Sequence, residues 1–126
     1  MRGGTETILL VDDAALLRPV TRRFLEQGGY KVLEAGNSAK ALRMAKLHPG
    51  ALPLMITDVA IGSVTGEALA ARLAVIRPDA KVLFTSGYAD ASTAQHRIPN
   101  AKSAFIEKPF TRDGLLRKVR EMLDAS

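Results

Sequence analysis

Ile8-Leu9-Leu10-Val11-Asp12-Asp13 is an apolar run of β-type residues that ends abruptly in two acids. Consecutive aliphatic residues bounded by polar ones read as a strand buried on both faces, as in a parallel sheet. Two further runs end in charge in the same way. Leu54-Met55-Ile56-Thr57 closes on Asp58, and Ala104-Phe105-Ile106-Glu107 closes on Lys108-Pro109. Placed side by side in one parallel sheet, the three runs bring three carboxylates and one ammonium to a single edge. Such a cluster repels itself unless a cation sits in it. A divalent metal ion is the natural occupant, and a phosphoryl group the natural cargo.

Between and around these runs the pattern alternates strand with helix. Thr7 to Val11 is the first predicted strand. Ala14 to Gln27 is predicted as a helix whose buried stripe is Leu16, Val20 and Phe24, widened by Leu17 and Leu25. Pro19 falls in its first turns, Asp13 is its expected N-cap, and Gly28-Gly29 stop it. Tyr30 to Ala35 is a second strand. Ser38 is expected to cap a helix that runs to about Leu47 and ends at His48-Pro49-Gly50. Pro53 to Thr57 is the third strand, and Gly62 to Gly66 a loop. A third helix follows with Leu69, Leu73 and Ile76 inward, then a fourth strand, Lys81 to Thr85. A short helix is expected from Asp90 to about Arg97, cut off by Pro99. Ser103 to Glu107 is the fifth strand. Thr111 caps a last helix with Leu115, Val119, Met122 and Leu123 on its buried stripe. Five strands alternating with five helices imply a parallel sheet with helices on both faces. Ligands of such sheets bind beyond the carboxyl ends of the strands. That rule gathers Asp12, Asp13, Asp58 and Lys108, and adds Ser86.

At 126 residues the chain is one domain, long enough to bury a core without staples. It has no cysteine, which removes disulfides, thiolate chemistry and cysteine metal sites. Residues 1–6 are expected to be a flexible lead-in, with the domain spanning 7–126. No apolar stretch nears the roughly 20 residues of a membrane span. Eighteen Lys and Arg against thirteen Asp and Glu leave a charge of +5. The basic residues are scattered, with no basic run and no aromatic interleaving, so direct nucleic-acid binding is not expected. His48 and His96 read as helix-end and surface residues, not as phosphohistidines.

The site chemistry follows from charge. An attacking carboxylate and a phosphoryl group are both negative, so they approach only when cations neutralise them. Mg²⁺, or Mn²⁺, prefers hard oxygens and keeps waters to share with phosphate. Asp12 and Asp13 are placed to hold the metal, and Asp58 to coordinate it and attack. Lys108 supplies a point charge and the Ser86 hydroxyl a hydrogen bond to phosphoryl oxygens. Little further apparatus is needed, because phosphoryl transfer depends mainly on positioning and charge.

From about Thr7 to Leu123 the chain resembles the receiver domain of two-component signalling, the response-regulator family. The resemblance rests on Ile8 to Asp13, Ile56-Thr57-Asp58-Val59, Val82-Leu83-Phe84-Thr85-Ser86-Gly87-Tyr88 and Phe105-Ile106-Glu107-Lys108-Pro109-Phe110, in that order and spacing. It is most like receivers of hybrid sensor histidine kinases. The resemblance implies a flavodoxin-like (βα)5 fold with five parallel strands in the order 2-1-3-4-5. It makes Asp58 the phosphoacceptor and Asp12 and Asp13 the acidic pair. The backbone carbonyl of Ala60 becomes a further metal ligand, Ser86 and Phe105 the switch pair, and Lys108 the phosphate contact, in a usually cis Lys-Pro step. Ala60 and Tyr88 fall where hydrolytic water would pass, which implies slow self-dephosphorylation. One departure is Gly62, where receivers commonly carry proline.

The implied function is that of a phosphoacceptor and not of an enzyme, beyond self-phosphorylation from small donors and self-dephosphorylation. The donor is a histidine kinase or a histidine phosphotransfer domain, in the cytoplasm. Phosphorylation is expected to reshape the face made by the fourth helix, fifth strand and fifth helix, with self-association through that face a further expectation. Rivals are a degenerate receiver that only binds partners, and a haloacid-dehalogenase-type phosphatase. The phosphatase needs an acid two residues after a nucleophile at Asp12, where Ala14 stands. A dinucleotide-binding reading fails because the first strand leads into Asp12-Asp13 and not into a glycine-rich loop.

Overall fold

The structure, a computed structural model, describes residues 4–61, 64–86 and 103–125. Strands β1 (Thr7–Val11), β2 (Lys31–Ala35), β3 (Leu54–Asp58), β6 (Lys81–Ser86) and β7 (Ser103–Glu107) form one sheet in the order β2-β1-β3-β6-β7. All four pairings are parallel. Counting only these five, the order is the expected 2-1-3-4-5. The helices among the described residues are α1 (Arg18–Gln27), α2 (Ser38–Leu47), α3 (Gly66–Ile76) and α4 (Arg112–Asp124). The short helix expected at 90–97 lies outside the described residues, as do Tyr88, His96 and Pro99.

The period of two along each strand splits the core into two layers. Leu9, Val11, Met55, Val82 and Phe84 point to one face and pack with Ala41 and Ala45 of α2 and Leu69 and Leu73 of α3. Ile8, Leu10, Leu54, Ile56 and Leu83 point to the other, against Leu25 of α1 and Leu115, Leu116, Val119 and Met122 of α4. Burial on both sides of the central strands β1 and β3 explains why their sequences read as unbroken apolar runs, whereas the edge strands β2 and β7 are largely half-buried.

Helix starts differ from expectation in two places. Helix α1 begins at Arg18, not Ala14, and its N-cap is Leu17, which makes no side-chain cap bond. Asp13 is therefore not the cap. Residues 15–17 form a turn instead, closed by the Leu17 and Arg18 amides donating to the Ala14 carbonyl. The predicted stripe holds at Leu25, which is buried, and at Phe24, which is half-buried against the core, but Thr21 is also buried and Leu16, Leu17 and Val20 are exposed. Asn37, not Ser38, caps α2, accepting from the Lys40 amide at 2.8 Å. Thr65 and Thr111 cap α3 and α4 through their hydroxyls. The loop expected from Gly62 to Gly66 is entered through a short antiparallel ribbon, in which β4 (Ala60–Ile61), just before it, pairs with β5 (Val64–Thr65), within it.

The amino edge of the sheet is held by long cations. Arg77, at the end of α3, donates to the carbonyls of Ala45 at 2.9 Å, Gly50 at 2.8 Å and His48, tying down the end of α2. Lys81 donates to the Met122 and Ala125 carbonyls at the end of α4. Arg120 pairs with Glu6 and Asp124, both at 2.9 Å, and reaches the Tyr30 hydroxyl. Within the lead-in segment, the Gly4 amide donates to the Gly28 carbonyl and Glu6 accepts from the Lys31 amide, both at 3.0 Å.

Candidate functional site

The opposite, carboxyl edge collects the charged strand ends. Asp12 follows β1 directly; its amide extends the β1–β2 pairing by donating to the Ala35 carbonyl at 3.1 Å. Its Oδ1 accepts from the Ala14 amide at 2.8 Å, and the residue is buried. Asp13 is exposed beside it. Asp58 ends β3, with Oδ1 accepting from its neighbour, the Val59 amide, at 3.1 Å. Lys108 follows β7 and precedes a cis peptide bond to Pro109. Its Nζ lies 2.9 Å from Asp58 Oδ2 and 3.5 Å from Asp12 Oδ2. Asp12, Asp13 and Asp58 each offer an oxygen within 4.8 Å of the others. This all-oxygen donor set, gathered around one point, fits a hard divalent cation.

One ammonium shared by two carboxylates makes the energetics lopsided. Burial pushes the Asp58 carboxyl above the usual aspartate range; the Lys108 hydrogen bond and charge pull it back, and the Asp12 charge pushes it up again. For Lys108, burial pulls the pKa down, but the Asp58 hydrogen bond and the charges of Asp58 and Asp12 outweigh it and leave it raised. The lysine gains from two anions, while Asp58 gains from one cation and loses to one anion.

A pH dependence follows with a definite sign. An acid whose folded-state pKa is raised favours folding fully below its unfolded pKa and loses that advantage as pH rises through the folded value. Ionised Asp58 thus opposes folding at neutral pH. Asp58→Asn is expected to raise the urea midpoint at pH 7 in EDTA. The gap to wild type should close as pH falls through the raised Asp58 value. A variant less stable than wild type at pH 7 would contradict this sign.

Ser86 ends β6 in register with Glu107, and Ala60 opens the β4 ribbon two residues after Asp58. Phe105 is opposite Phe84 on the neighbouring strand and is half-buried against the α2–α3 side of the core. Sequence reading missed Gly66 as part of the site. Its amide donates to the Val59 carbonyl at 2.8 Å, and a Cβ built on it falls 2.3 Å from the Asp58 carbonyl oxygen. A glycine opening a capped helix shortly after Asp58 was the available signal. The apolar side chains on and just before α1 also acquire a place: exposed Leu17 and Val20 and half-buried Phe24 line a groove of about 480 Å³ with Lys108, Pro109 and Phe110.

Comparison with known proteins agrees with the geometry. The response regulator receiver domain family matches residues 8–120. The sensor kinase CckA of Brucella abortus is 35% identical over 121 residues, covering 96% of this chain; the chain spans 13% of that protein's length. The response regulator receiver protein CpdR of the same organism is 29% identical over 119 residues, covering 94% of this chain and 98% of CpdR. A receiver domain protein of Clostridium thermocellum superposes with a TM-score of 0.85 at 23% identity, over 94% of each chain, which bears on the fold.

Proposed function

We propose, from the premise that this chain belongs to the response regulator receiver domain family of two-component signalling, that Asp58 is its phosphoacceptor. The observation that carries the proposal is the convergence of Asp12, Asp13, Asp58 and Lys108 at one sheet edge. An Asp58 oxygen attacks phosphorus, the phosphorus–nitrogen bond of a phosphohistidine donor breaks, and the electron pair leaves with the imidazole, which takes up a proton. The product is an aspartyl phosphate. Lys108, already bonded to Asp58, holds a phosphoryl oxygen, and the Ser86 hydroxyl donates to another.

Asp12, Asp13, Asp58 and the Ala60 carbonyl would hold Mg²⁺. When bound, it supplies charge neutralisation for the incoming phosphoryl group. The partner is a histidine kinase or a histidine phosphotransfer domain. The apolar groove between α1 and Pro109-Phe110 supports this, since it gives a partner helix a surface beside Lys108. The response is a two-state shift. Movement of Ser86 toward the phosphate lets Phe105 turn inward and reshapes the surface around β7 and α4. Slow self-dephosphorylation, which the resemblance ties to Ala60 and Tyr88, and a cytoplasmic location belong to the same proposal. Among the described residues no helix is long and apolar enough to cross a membrane.

The direct test is incubation with acetyl phosphate. Wild-type protein is expected to gain a phosphoryl group in Mg²⁺, seen as a retarded band on a Phos-tag gel, and EDTA should suppress it. A wild-type chain that stays unlabelled in saturating Mg²⁺ sinks the proposal.

A further inference from the structure

Arg18 opens α1 and points its guanidinium back across the β1–α1 loop. Nη1 donates to the backbone carbonyl of Asp12 at 2.8 Å, and Nε donates to Glu34 Oε1 on β2 at 3.3 Å. The second Glu34 oxygen accepts from Arg22, one turn further along α1. The chain of contacts therefore runs from β2 through Glu34 and Arg18 to the backbone of an acidic-pair residue. Arg18 and Glu34 are each about three-quarters buried, with side-chain exposures of 24% and 23%. Gly36, just beyond β2, completes the arrangement. A Cβ built there falls 2.9 Å from Arg18 Nη1, so the missing side chain is what leaves room for the guanidinium.

We infer that Arg18 is a positioning residue for the cation site: it fixes the Asp12 carbonyl, and through it the loop that presents the Asp12 and Asp13 carboxylates. The inference rests on the proposed phosphoacceptor reading and adds a residue that touches neither metal nor phosphate. Side chains that orient metal ligands from behind typically change affinity about 10- to 100-fold when lost. Arg18 is also a cation near a cation site. By charge alone its removal should tighten Mg²⁺ binding; by positioning, removal should weaken it. The two roles predict opposite signs.

Three variants separate them, each in the full chain. Arg18→Met is expected to weaken Mg²⁺ binding about tenfold by titration calorimetry. Arg18→Lys, which keeps a cationic donor on a somewhat shorter side chain, should recover part of that loss. Gly36→Ala changes no charge and displaces only the flexible end of Arg18, so it should weaken Mg²⁺ binding several-fold with the urea midpoint in EDTA held near wild type. In acetyl phosphate labelling, the Mg²⁺ concentration for half-maximal rate should rise while the rate at saturating Mg²⁺ stays near wild type. A merely structural role would lower the urea midpoint without moving that concentration. Unchanged or tighter Mg²⁺ binding in Arg18→Met, or unchanged binding in Gly36→Ala, overturns the inference. Wild-type protein that neither binds Mg²⁺ nor takes label overturns the phosphoacceptor reading itself, a result distinct from failure of the variants alone.

Discussion

Asp58→Asn is expected to abolish labelling by acetyl phosphate, leaving the Phos-tag pattern identical to that of untreated protein. The amide keeps the size and shape of the side chain but has no anionic oxygen to attack phosphorus. The neighbouring acids are not expected to substitute for it. Asp12 Oδ1 is committed to the Ala14 amide, and Asp13 lies toward solvent. Lys108 Nζ lies closer to Asp58 than to Asp12, 2.9 against 3.5 Å, so the lysine is set to serve a phosphoryl group on Asp58. Peptide mapping after borohydride trapping should put the wild-type modification on Asp58. Equal labelling of the asparagine variant would remove the proposed chemistry.

Gly66→Ala should have the largest effect on folding among substitutions near the site. The new methyl would sit 2.3 Å from the Asp58 carbonyl oxygen, 3.1 Å from Val59 Cα and 3.2 Å from Phe84 Cδ1. Two of these are backbone atoms within and beside β3, which cannot swing away as a side-chain tip would. Helix α3 must back off, stretching the 2.8 Å bond from the Gly66 amide to the Val59 carbonyl. Overpacking of this kind typically costs 1–3 kcal/mol, and with rigid neighbours the loss is expected at about 3 kcal/mol in urea unfolding. Because the strain falls on the backbone that presents Asp58, labelling by acetyl phosphate should slow even where the variant is fully folded. An alanine variant matching wild type in both assays would show that the helix yields freely.

The sheet and its charged edge were legible for a single reason. Strands buried on both faces leave uninterrupted aliphatic runs, and the residue that ends each run must lie at the sheet margin. Asp58 therefore declared its location before any contact was known; Lys108 follows β7, a half-buried edge strand whose shorter apolar run carries the same signal. The beginning of α1 was not legible. Leu16, Leu17 and Val20 have helical spacing, but spacing does not say whether an apolar face meets the core or solvent; here Thr21 and Leu25 take the inward positions. The cap was misread because the helix starts later, at Arg18 with Leu17 as its N-cap, while the Asp12 carboxylate takes up the Ala14 amide in the turn before it. The β4–β5 ribbon is two residues on each side, too short to carry any period. Gly66 and Arg18 act through contacts across the fold, which a local window does not contain.

The long cations at the amino edge have a bearing on how such a domain diversifies. Arg77, Lys81 and Arg120 clamp the far margin through backbone carbonyls and neighbouring acids, among them Ala45, Met122 and Glu6. These anchors thus sit on the rim opposite the reactive one. Substitutions that retune the reactive rim, altering donor choice or signal duration, leave them in place.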